Sequence, residues 1–402
     1  MTNSNDYRFQ VNLEGIISLL SNHLYSNPGV FLRELMQNAV DAISARKEID
    51  PFHEGEVVVE VFDSNQGPKT LIFEDNGIGL TEDEIHKFLA VIGQSSKNGE
   101  IGIDTSSFIG KFGIGILACF IVSEEITFIT HSIHSNDSFE WKGKPDGTYS
   151  IRKLANNVSV GTKVYIQSKI DFEDYFTLDS LKNNLYTYGA LLEYPIHLLN
   201  NDEKILINEK FVPWHNNADI TRYSKDSIME FGRKVFNENF IDYIPIHSEI
   251  GDVTGIAYII PYSVNLAAKK VNKIYLKNMF ITQNADNILP DWAFFVKCII
   301  NANNIEPTAS REGFYEDSVL ESVKENIGNN IKSYLKNLSK SDSKTLERVI
   351  DTHSLSIKAL AVEDTEILEL FMDWIPFETS MGYITFGDIK KKKRINKICC
   401  YS

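Results

Sequence analysis

Four short groups of residues could carry chemistry together. In FLRELMQNAVDA, Glu34 and Asn38 stand four apart and Asp41 three further, so a helix would project all three from one stripe. A carboxylate that can orient and deprotonate water then lies beside a neutral oxygen ligand suited to Mg²⁺. A strand ends at Glu74, and in Asp75-Asn76-Gly77-Ile78-Gly79 the carboxylate of Asp75 follows it into a glycine-rich turn. It could accept a hydrogen bond from the exocyclic amine of adenine, with Gly77 and Gly79 leaving room for the flat base. Gly110, Gly113 and Gly115 open an apolar run, where bare backbone N–H groups at a helix start make a phosphate site. Ser95, Ser96 and Lys97 lie in the Gly- and Ser-rich stretch before it, placed to fold over a nucleotide. Gly161-Thr162 opens GTKVYI, and its hydroxyl could complete the base site. Each group alone has a plain reading: a solvated helix face, an Asn-Gly hairpin turn, close helix–sheet packing, an ordinary strand start.

These residues need elements to hold them. Apolar residues three and four apart predict helices within residues 9–47, and TEDEIHKFLAVI and residues 175–193 read likewise. Val57 to Phe62 and Thr70 to Phe73 are β-branched-rich runs around the turn SNQGP, and EITFIT, SIRKL and GTKVYIQ read as strands. FIGKFGIGILACFIV runs through its glycines into an apolar helix. After YPIHLL and KILINEKFVPW, the strands IAYIIPY and NKIYLKNMFI mix with the helices WAFFVKCII and VLESVKENIGNNIKSYL. Strict βαβ alternation is missing, so the fold class is α+β, in sandwich layers rather than a doubly wound sheet.

The 402 residues suggest two or three domains, and 43% hydrophobic with 24% charged residues is a globular balance. A net charge of −15 argues against indiscriminate binding to nucleic acid or anionic membrane, both polyanions. Cys119, Cys298, Cys399 and Cys400 have no zinc or disulfide-framework spacing; the first two read as small buried hydrophobes. No leader pattern or run of roughly 18 apolar residues occurs, so a cytoplasmic protein is expected.

The order of the four groups resembles the GHKL ATPase superfamily, and most closely the heat-shock protein 90 chaperones. FLRELMQNAVDA, FIGKFGIGILACFIVSEEITFIT and YPIHL look like that family's first domain. KIYLKNMFITQNADNILPDWAFFVKCIINANNIEPTASREGF looks like its middle domain. The resemblance implies an N-terminal α/β sandwich, helices on a mixed and mainly antiparallel sheet, over residues 1–200. An α/β middle domain over 201–335 and the start of its next part over 336–402 would follow. It implies ATP and Mg²⁺ as ligands, client proteins as partners, and a homodimer formed through a C-terminal segment that this chain does not contain. It assigns Arg311 of Ser-Arg-Glu to the γ-phosphate, where a cation offsets developing charge.

The chain departs from the family's pattern at Phe88 and Gln94, where an asparagine and a lysine are usual, at Ile116 for an aromatic, and at Tyr315 for a glutamine. The expected function is an ATP-driven chaperone using Glu34, Asn38, Asp75 and Arg311. The alternatives are a GHKL ATPase acting on nucleic acid, or a nucleotide-switched binding module with little hydrolysis.

Overall fold

The computed structural model describes residues 13–19, 25, 27–63, 67–89, 115–201, 203–215, 220–264, 271–283, 287–308, 310–363, 365–380 and 382–391. The chain divides into two compact units, Met1–Lys210 with Lys277–Phe280, and Phe211–Leu276 with Ile281–Ser402.

In the first unit, β1 (Val57–Phe62), β2 (Thr70–Asp75), β3 (Ile126–His131), β4 (Ser138–Gly143), β5 (Tyr149–Lys153), β6 (Gly161–Gln167), β7 (Ile196–Asn200) and β8 (Glu203–Leu206) form one sheet. Their order is β5-β4-β3-β6-β2-β1-β7-β8. The β1–β7 pair is parallel, while β1–β2, β2–β6, β3–β6 and the outer pairs are antiparallel. The mixed, mainly antiparallel sheet implied by the resemblance is therefore present, and β4, β7 and β8 are strands that the sequence reading did not assign. Period-two alternation sets its inner face: Val57 and Val59 on β1, and Leu71, Phe73 and Asp75 on β2, are all buried.

Helices cover that face. The 20-residue α2 (Val30–Ile49) buries Phe31, Leu32, Leu35, Met36, Ala39 and Ile43, a stripe at helical spacing. It packs on β2 and on α5 (Leu178–Gly189), with Phe31 stacked on Phe176 at 5.7 Å. It ends where Asp50 precedes Pro51, whose ring disfavours helical backbone in the residue before it. The short α1 (Leu13–Leu19) precedes it, and α3 (Glu82–Phe88) starts at a Thr81–Glu84 capping box. The apolar run after Gly115 is a 3₁₀ turn, Gly115–Ala118, followed by a single α-helical turn, α4 (Cys119–Val122).

The second unit is built on a five-stranded sheet, β12-β11-β13-β10-β9. Its strands are β9 (Asp242–Ser248), β10 (Val253–Ile259), β11 (Lys273–Leu276), β12 (Met279–Thr282) and β13 (Val296–Ala302). Helices α6 (Lys225–Phe236) and α7 (Ser318–Ser341) pack on β9. The expected helix at WAFFVKCII is instead mostly strand β13. That strand lies between β10 and β11 and is buried on both faces, so it needs no polar alternation and its apolar run imitates a buried helix. Then come α8 (Ser343–Glu363), kinked at buried His353, α9 (Thr365–Phe371), the hairpin β14 (Pro376–Thr379) and β15 (Gly382–Thr385), and α10 (Phe386–Lys391). Among the described residues no helix is long and apolar enough to cross a membrane.

Candidate active site

The first unit gathers Glu34, Asn38, Asp41, Asp75, Gly79, Gly115 and Thr162 on α2, β2, β6 and the segments that join them. Ser95, Gly110 and Gly113 lie outside the described residues, as do Ser96, Lys97 and Gln94.

Asp75 is the last residue of β2 on its buried side, after Leu71 and Phe73. The register sets Val57 on one side of it and Thr162 on the other. Its Oδ1 accepts the Gly77 N–H at 2.8 Å. Burial pushes the carboxyl up to about 7, against backbone hydrogen bonds from Gly77 and Thr162 and the Arg46 charge, which pull it down. An apolar wall that ends in one acceptor group is what a flat, amine-bearing ring requires. Thr162 is paired across to Thr130 of β3, and their hydroxyls lie 3.0 Å apart. Thr130 Oγ1 also accepts the Leu80 N–H at 2.9 Å, joining the loop after Asp75 to the next strands. Thr130 escaped the sequence reading because ITFIT has the alternation of any half-buried strand.

The loop after Asp75 is held closely. Gly79 has φ +70, and a Cβ there would stand 1.9 Å from the His131 carbonyl oxygen, so only glycine fits between the loop and β3. The Ile78 N–H donates to the Ala42 carbonyl of α2 at 3.0 Å.

On α2, Glu34 is 3% exposed, Asp41 is also buried, and Asn38 is exposed. Glu34 pairs with its neighbour Arg33, whose Nη2 is 3.0 Å from Oε1 and whose Nε also donates to it, at 3.2 Å. Arg33 is itself buried, with its guanidinium 5.8 Å from the centre of the Tyr25 ring and 6.0 Å from that of Tyr188. Sequence reasoning missed Arg33, since an arginine next to a glutamate on a helix is ordinarily a solvated pair. Gly115 approaches the same carboxylate: a Cβ on it would lie 2.5 Å from Glu34 Oε2. Glu34 therefore has one oxygen on a guanidinium and the other against bare backbone. Beneath it, Cys119 is fully buried, and burial with the Glu34 charge pushes its thiol up, leaving it an inert packing group.

Among the described residues no cluster of three histidine, cysteine or carboxylate groups could hold a metal ion. Asn38 is exposed one helical turn from Glu34 and carries a neutral side-chain oxygen.

Arg311 belongs to the second unit. Its loop is closed by a bridge between Pro307 and Phe314, with the Thr308 N–H donating to the Gly313 carbonyl and the Arg311 N–H to the Thr308 carbonyl, both at 2.9 Å. Arg311 is 5% exposed and has φ +54, a left-handed backbone that costs a side-chain-bearing residue ~1 kcal/mol or more. Of the departures, Phe88 closes α3, Ile116 packs on the core of the first unit, and Tyr315 is exposed.

Comparison with known proteins finds matches over both parts of the chain. Residues 25–164 match the family described as histidine kinase-, DNA gyrase B- and HSP90-like ATPase, and residues 261–393 match the family described as Hsp90 protein. Chaperone protein HtpG of Anaplasma phagocytophilum is 27% identical over 341 residues, 80% of this chain and 53% of that protein. HtpG of Wigglesworthia glossinidia brevipalpis is 28% identical over 339 residues, 76% of this chain and 53% of its own. HtpG of Hydrogenovibrio crunogenus aligns with the whole chain at 25% identity and is covered over 65% of its length. The chain thus spans about half the length of the first two relatives.

Proposed function

The chain belongs to the heat-shock protein 90 family, and on that footing we propose that it binds and hydrolyses Mg·ATP as the nucleotide-driven part of a chaperone acting on client proteins. The observation that carries this reading is Asp75: a buried carboxylate ending an apolar sheet face, held by backbone N–H groups and lined by Thr162 and Thr130. Its free acceptor capacity suits the adenine amine, and the phosphates then extend along α2 toward Asn38 and Glu34. Asn38 would hold Mg²⁺, which neutralises phosphate charge when bound.

In this reading Glu34 orients the attacking water and takes its proton as the water oxygen bonds to the γ-phosphorus and ADP leaves. The Arg33 pair holds that carboxylate, and Gly115 leaves it the room that a side chain there would take. Arg311 is assigned to the γ-phosphate by the resemblance, as the cation that offsets developing charge. Ser95, Gly110 and Gly113 are assigned to the phosphates by resemblance. The domain limits near residues 200 and 335, a cytoplasmic location and pairing of two copies belong to the same proposal, as do the clients.

Calorimetric titration with ADP and single-turnover hydrolysis of ATP test the reading. Glu34→Ala should bind ADP like the parent and hydrolyse ATP at least ~100-fold more slowly, because a general base acts on the transition state. Loss of binding and turnover together would make Glu34 a structural residue. Binding without turnover in the parent chain would favour the nucleotide-switched module.

A further inference from the structure

Beyond the family's four motifs, α2 carries a second arginine that works at the adenine end of the site. Arg46 lies in the last turn of the helix, where the negative end of the dipole favours a cation. Its side chain leaves its own helix and reaches two turns belonging to neighbouring strands. Nη1 is 2.8 Å from the Asn76 carbonyl oxygen and within 3.5 Å of those of Gly77 and Val160. Asn76 and Gly77 follow Asp75 out of β2, and Val160 leads into β6 just before Thr162.

The two turns diverge immediately beyond the Asp75–Thr162 pair, the last of the β2–β6 ladder. Their carbonyls have no ladder partner there, and a planar guanidinium with five donors is suited to collecting them. The approach is close, because a Cβ on Gly161 would lie 2.2 Å from the Asp75 carbonyl oxygen. One turn earlier on the same helix face, the Ala42 carbonyl accepts the Ile78 N–H. Helix α2 thus grips the Asp75 turn at two points, and Arg46 also reaches the turn that leads to Thr162.

We propose that Arg46 is a positioning residue for nucleotide binding: it locks together the turns bearing Asp75 and Thr162 beside the adenine-accepting carboxylate. This rests on the reading of Asp75 as the base anchor. The charges around that carboxylate are few. Glu74, on the same strand, opposes ionisation and is itself paired with Lys163 of β6 at 2.8 Å, while Arg46 favours it from α2. Across β1, Glu56 is engaged by His197 of β7 and Lys204 of β8. Arg46 is the one basic side chain among these that bears directly on Asp75.

The test measures ADP affinity of the full chain by calorimetry from pH 5.5 to 8.5, for Arg46→Met, Arg46→Lys and Arg46→Gln, with Asp75→Asn as control. Arg46→Met should weaken ADP about tenfold at pH 7, the loss expected for one charge-assisted hydrogen bond. The pH at which affinity begins to fall should also move up, because the cation that favours the carboxylate is gone. Arg46→Lys should restore that pH profile, and Arg46→Gln should keep a donor without restoring it. A simple structural staple would lower the melting temperature without moving the pH profile, and that outcome overturns the proposal. So does wild-type ADP affinity in folded Arg46→Met or, if that variant does not fold, an unmoved profile in Arg46→Gln. If folded Asp75→Asn binds ADP normally, the base-anchor reading itself fails; if it alone loses ADP, only the role of Arg46 fails.

Discussion

Replacing Asp75 by asparagine should make the protein more stable while it destroys the nucleotide site. Burial lifts the Asp75 carboxyl from 3.8 to about 7, so the folded protein resists its ionisation. Each pH unit between those values is worth ~1.4 kcal/mol, which gives a cost of about 4 kcal/mol once the pH is above 7. The sign follows from proton binding. Between pH 4 and 7 the folded state holds a proton that the unfolded chain has released, so stability falls as pH rises through this window and then levels off. Asparagine keeps an oxygen for the Gly77 N–H and carries no charge. At pH 8.5 and without nucleotide, Asp75→Asn should gain up to about 4 kcal/mol, on the order of 10 °C in melting temperature for a unit of this size. The gain should shrink with acidity and vanish near pH 4. The amide should meanwhile weaken ADP binding by 1.4 kcal/mol or more, at least about tenfold, because it faces the adenine amine with a donor. Denaturation at pH 5 and 8.5 beside ADP titration measures both. A variant less stable than its parent at pH 8.5 would show that the fold accommodates the ionised carboxylate, and the reasoning would be wrong.

Three other outcomes follow from the geometry. Gly115→Ala drives a methyl group into Glu34 Oε2, so single-turnover hydrolysis should fall about tenfold or more while ADP affinity holds; unchanged turnover would separate Glu34 from the chemistry. Arg311→Gly removes the cation yet suits the left-handed backbone, so it should slow hydrolysis at saturating Mg·ATP by about 10³-fold and leave ADP binding intact; equal rates would make Arg311 a structural residue. Burial lowers the His353 value below 6.5, so stability should be lost as pH falls below 6.5, the unfolded state then taking up the proton first. His353→Phe should flatten that acid limb in pH-dependent denaturation, and an unchanged limb would exclude His353 as its source.

The parts of the site legible in the sequence are those whose types and spacing recur in one order, since each group alone has a plain local reading. Asp75 was legible through the glycines that follow it, while its place in the buried alternation after Leu71 and Phe73 came only with the strand. Glu34 was legible through its spacing to Asn38, but its burial was not, since the helix pattern alone would solvate it. Thr130, Arg33 and Arg46 conform locally: a threonine in a strand, an arginine beside a glutamate, a cation in a last helical turn. Only the partners brought to them by β6, Tyr188 and the turn at Asn76 give them a task. The strand at β13 was misread for the opposite reason, because burial on both faces removes the alternation that identifies strands.

The order of strands has a consequence for how the protein is made. Asp75 finds Thr162 only when about ninety further residues have been synthesised, and β1 finds β7 later still, across a span whose closure is entropically costly and slow. A nascent chain that has reached β5 holds a hairpin of β1 and β2 with one long edge unpaired on each side. Burial raises the proton affinity of Asp75, and that burial requires the β6 neighbour Thr162 to be in place. Nascent chains stalled before and after β6 should therefore differ in proteolytic protection of the first hairpin, and the charge of one buried side chain becomes a marker of β6 joining the sheet.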